Sequence, residues 1–120
     1  MTGMTAPTPR ADLIERLRAL LAHEDVTREV SMFGGTAFMV GEKLLVSALK
    51  GGGMLVRVPA DRHDELLERR GASRPEMGAG RSMGRGWIEV DATTLADDDE
   101  LASWIALALA HNRTLPTKKR

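Results

Sequence analysis

Five arginines, Arg69, Arg70, Arg74, Arg81 and Arg85, stand against one carboxylate, Glu76, in the glycine-rich stretch 69–86. A guanidinium is permanently charged and presents a planar fork of donors, so such a stretch can hold phosphates through contacts that weaken steeply with salt. Arg74, Arg81 and Arg85 are therefore the candidate anion or nucleic-acid contacts. No Phe or Tyr accompanies them, which removes the platform on which single-stranded bases stack. The competing reading is a solvated loop whose arginines pair with nearby carboxylates.

Other chemistry is excluded by spacing. Met32-Phe33-Gly34-Gly35 offers unobstructed amides, but the Gly-Lys-Ser/Thr ending of a phosphate loop is missing. Its glycines are read as a tight bend into a strand, with Phe33 and Phe38 anchoring the joint. The acids of 97–100 lack the alternating oxygen ligands and central glycine of a calcium loop; Asp97 and Glu100 instead have the spacing of a helix capping box. His23, His63 and His111 form no His-Glu-x-x-His motif, and no Cys is present to supply a thiolate. His23 and His111 are expected near helix C-termini, where positive charge is favourable. None of the serines sits in a Gly-x-Ser-x-Gly elbow. No catalytic, cofactor-binding or metal set emerges, and the chain is expected not to be an enzyme.

Composition narrows the frame that must position these groups. The 120 residues suit one domain and one core, and the 17 basic and 17 acidic residues cancel, leaving no global field for nucleic acid or anionic membranes. Only weak, nonspecific nucleic-acid binding is expected, and no membrane contact. Absence of cysteine, of a signal-like start and of an apolar run near ~20 residues leads to a cytoplasmic expectation.

The expected organisation is a mobile leader over 1–9, a domain over 10–116 and a basic tail over 117–120. Thr8-Pro9 suits a helix start, and Leu13, Ile14, Leu17, Leu20 and Leu21 fall on one face of that helix. Apolar runs over 36–40, 43–49 and 54–58, parted by Gly41-Glu42 and Gly51-Gly52-Gly53, predict an antiparallel meander. A second helix follows over 61–70 and stops at Gly71. A short strand near 81–83 and another over 87–90 precede a third helix opened by Asp97. The expected core contains Leu17, Phe38, Val46, Val56, Ile88, Trp104 and Ile105.

The Met-Phe-Gly-Gly motif, Gly51-Gly52-Gly53, Gly80-Arg81-Ser82-Met83 and Gly86-Trp87-Ile88-Glu89-Val90, in that order, resemble the N-terminal domain of the TfoX/Sxy family over roughly 12–116. The resemblance implies an α+β two-layer sandwich, order α-β-β-β-α-β-β-α, with a mainly antiparallel five-stranded sheet. It also implies a small regulatory or protein-interaction module tied to transcription or competence control, with a transcription factor or a second copy as partner. Residues 75–79 lack the aromatic often found before the Gly-Arg pair, and the second domain common in the family is not expected in this chain. The alternative function is direct nucleic-acid binding through residues 69–85, and a more distant one is an enzyme of unrecognised substrate.

Overall fold

A computed structural model describes residues 9–24, 27–32, 35–41, 43–75 and 86–115. Helix α1 (Pro9–Leu20) forms where Leu13 and Leu17 recur one turn apart, and both are sealed against the sheet side of the core together with Leu21. Their periodicity, together with the strong helix preference of the Ala, Leu, Arg and Glu residues around them, places the helix. Ile14 is only partly buried and Leu20 turns outward, so the stripe is narrower than its sequence pattern.

Strands β1 (Thr27–Met32), β2 (Gly35–Val40), β3 (Lys43–Leu49), β4 (Met54–Arg57), β5 (Ala72–Ser73) and β6 (Trp87–Val90) form a six-stranded sheet in the order β1-β2-β3-β4-β6-β5. Every pairing is antiparallel. The expected hairpin turn is present, with Gly41 at φ 61°. Register then sorts the side chains by face. Phe38, Val46, Val56 and Ile88 pair in one continuous row and are all at most 2% exposed. One position along, the row Val30, Ala37, Ser47, Leu55 and Glu89 lies on the opposite face, because alternate residues of a strand point to opposite sides. Ala37, Ser47 and Leu55 are buried yet stand outside the helix-packed cluster. A bulge at Phe38/Met39 turns both Leu45 and Val46 into the core.

After β4 the chain makes a 3-10 turn (Ala60–Arg62), helix α2 (His63–Leu66) and further turns before β5. The single helix expected over 61–70 is thus broken into shorter pieces. Gly71 is nevertheless the stop: it has φ 79°, and a Cβ there would collide with the Thr94 side chain. A short helix α3 (Ala92–Leu95), capped by Asp91 accepting from the Thr94 amide at 2.8 Å, leads into α4 (Asp98–Thr114). Leu101, Trp104, Ile105 and Ala108 give α4 its buried stripe.

The fold class is α+β as expected, with six strands in place of five. Four of the six match expected strands; the other two, β1 and β5, are the edges of the sheet, and neither Thr-Arg-Glu-Val-Ser-Met nor Ala-Ser carries the apolar alternation that marks a strand in the sequence. The strand expected near 81–83 lies outside the described residues. All seven expected core residues are buried.

Candidate functional site

The glycine motif is placed at the β1 to β2 connection, although Phe33 and Gly34 lie outside the described residues. Met32 ends β1 and pairs with Gly35, which opens β2. A Cβ on Gly35 would collide with the Ala48 carbonyl of β3. Here glycine is required by the approach of two backbones rather than by a left-handed φ. Phe38 is fully buried in the core.

The arginine-rich stretch divides into groups with different partners. The Arg69 guanidinium lies 4.5 Å from the centre of the Trp104 ring, donates to Ser103 Oγ at 2.9 Å and sits 3.6 Å from the Glu100 carboxylate. A cation over an indole in this geometry contributes electrostatic attraction as well as packing. Arg70 approaches Asp97 at 3.9 Å. Arg69 therefore ties the turn after α2 to the first half of α4, whereas the long, exposed Arg70 pair contributes little. Arg74 is exposed, with no ion pair among the described residues. Arg81 and Arg85 fall outside the described residues, so the candidate trio is not seen as one surface.

The acids of 97–100 behave as helix-end groups. Asp97 Oδ1 accepts from the Asp99 amide at 2.9 Å, one residue short of the bond expected in a capping box, while Glu100 turns toward Arg69. Among the described residues no group of three or more His, Asp or Glu side chains could hold a metal. His23 is exposed in the turn after α1, whereas His63 is buried and its Nε2–H donates to the Trp87 carbonyl at 3.1 Å. His111 occupies the last turn of α4, as expected, but burial and the Arg57 charge push its pKa below the ordinary value. Those effects oppose the positive charge that a helix C-terminus would favour.

Two surface grooves and a distant tether have no signature in the linear sequence. One groove, about 740 Å³, runs between Pro59, Ala60 and Asp61 on one wall and Leu107, Ala110 and His111 on the other. A smaller one opens between α1 and the start of α4. The tether is Lys43: its Nζ donates to the carbonyls of Asn112 at 2.8 Å and Leu115 at 3.0 Å, closing the C-terminal end of α4. Buried Asn112 adds a bond from Nδ2 to the Val40 carbonyl at 3.3 Å. Each of these needs residues brought together by the fold, and only the amphipathic spacing of α1 and α4 hinted at where faces would meet.

An antiparallel sheet with one helix-covered face, entered through a glycine step and closed by a long final helix, defines a small α+β domain. The family model for the TfoX N-terminal domain matches residues 19–112, and the chain belongs to that family. No curated protein matches it. Membership supports a regulatory or competence-related module at a general level. Among the described residues no helix is long and apolar enough to cross a membrane.

Proposed function

We propose that this chain is a small cytoplasmic regulatory module that works through protein contacts, linked to transcription or competence control, and that it catalyses no reaction. The observation that supports the reading is the engagement of Arg69 with Trp104, Ser103 and Glu100, which gives one arginine of the basic stretch an internal role in place of a phosphate contact. A transcription factor is the preferred partner, with a second copy as the alternative. Affinity capture of the tagged full chain from its native cell, followed by mass spectrometry, tests the reading. Reproducible recovery of a regulatory protein supports it; recovery of nothing above an untagged control sinks it.

Exposed Arg74 favours a second reading, direct nucleic-acid contact. A salt titration separates the two. Binding no tighter than about 10⁻⁶ M at physiological salt is expected, the level of nonspecific association. Submicromolar, sequence-selective binding lost on replacing Arg74, Arg81 and Arg85 by Ala would promote the second reading.

A further inference from the structure

α1 and the first turns of α4 leave between them a groove of about 340 Å³, floored by Ala19, Leu20, Leu101 and Ala102. Among the described residues Leu20 is the exposed large apolar side chain, at 37%, although it extends the stripe that buries Leu13 and Leu17. It gives the floor its aliphatic bulk. Asp98 and Asp99 line the rim. The Asp98 side chain remains 91% exposed while it accepts from Arg16 at 2.8 Å, and exposed Asp99 has no ion pair among the described residues. Arg16, the cation in the lining, is already held by Asp98 and by the Leu95 carbonyl at 2.6 Å. Asp12 and Glu15, further along α1, pair with Arg16 at 4.0 Å and Arg18 at 3.0 Å, so the negative charge the rim offers is that of Asp99 and the solvent-exposed Asp98.

The sign of the rim selects the occupant. Carboxylates around an apolar floor repel phosphates and acidic surfaces, and they attract a cation while the floor takes an adjoining aliphatic side chain. A helix with apolar residues one turn apart and basic residues beside them meets both demands. Resting on the protein-contact reading above, we propose that this groove docks a basic amphipathic segment of a protein partner, with an aliphatic side chain over Ala19, Leu20 and Ala102 and a Lys or Arg at Asp98 and Asp99.

The test uses the full chain and a synthetic helix-forming peptide carrying leucines on one face and lysines beside them. One control peptide has glutamate for each lysine, and another is permuted so that the leucines no longer share a face. The basic amphipathic peptide is expected to bind at least about tenfold tighter than either control. Its amide NMR shifts should cluster at residues 16–20 and 98–102. Leu20→Ser and Asp99→Asn change exposed positions, and Asn removes the carboxylate charge without placing a cation in the first turn of α4, so both should melt close to the parent; each should weaken binding, and Asp99→Asn should also reduce its salt dependence. Equal binding of the acidic peptide, shifts centred on the Pro59–His111 groove, or undiminished affinity in both variants would overturn the proposal. So would self-association mapped to this groove by the same shifts, since the occupant would then be a second copy. If both variants still capture the parent's partner from cells, the groove assignment fails while the protein-contact reading stands; if the parent captures nothing, that reading fails first.

Discussion

At its N-terminus α4 is finished by its own neighbours, with Asp97 accepting from the Asp99 amide, whereas at its C-terminus the last carbonyls are taken by Lys43, 69 and 72 residues away. Asn112 adds a tie in the other direction, its side chain donating to the Val40 carbonyl across 72 residues. Both ends meet the same demand, since a helix leaves its first amides and last carbonyls unpaired. The difference lies in what each solution fastens. A local cap stabilises the helix alone, while the distant tether also binds the helix to the β2 to β3 hairpin, so it forms only when the tertiary structure does.

Between those ends the helix is held by burial, and the largest effect is expected there. Trp104→Ala should cost about 3–5 kcal/mol, much of the stability of a small domain, and should release Arg69 from its stacked position. Chemical denaturation measures it. A loss below about 1 kcal/mol would mean that the middle of α4 is not its main attachment.

The two ends themselves are compared by Lys43→Met and Asp97→Ala. Removing the charged donor from two partly buried carbonyls should cost about 1.5–3 kcal/mol, against about 0.5–2 kcal/mol for the lost cap. Hydrogen exchange sharpens the contrast: Lys43→Met should speed exchange in both the hairpin and the end of α4, while Asp97→Ala should act on the first turn only. Faster exchange confined to α4 in both variants would erase the distinction.

The smallest effect is a pH dependence at the tethered end. Burial and the Arg57 charge lower the pKa of His111 in the folded state, so the unfolded chain takes up the proton more readily. The corresponding stability is complete above the ordinary imidazole value of about 6.5 and is lost as pH falls through the folded value. His111→Gln should therefore lose less stability than the parent between about pH 8 and about pH 5. Identical acid sensitivity in the two proteins, read from their melting curves, would exclude His111 as the source.

The arginines show why the candidate site was only partly legible. Composition identified a basic stretch, but a guanidinium in solvent and one stacked on an indole have the same letter in the sequence. Contact with Trp104 decided the role of Arg69, while exposed Arg74 kept its charge available to solvent. The groove beside Leu20 was hidden for a related reason: the helical stripe marked Leu20 as apolar, yet burial depends on whether α4 comes close enough to cover it.

By itself the sequence determined what rests on local periodicity and local capping: α1, the glycine-divided meander, the stop at Gly71, the start of α4 and the core from Leu17 to Ile105. Those features follow from side-chain spacing and backbone freedom among near neighbours. Tertiary structure decided the edge strand β1, the shortening of α2, the steric requirement for Gly35 and the closing of α4 by Lys43. Each depends on an element distant along the chain, which supplies the hydrogen-bond partner, the clash or the cover that no local pattern encodes.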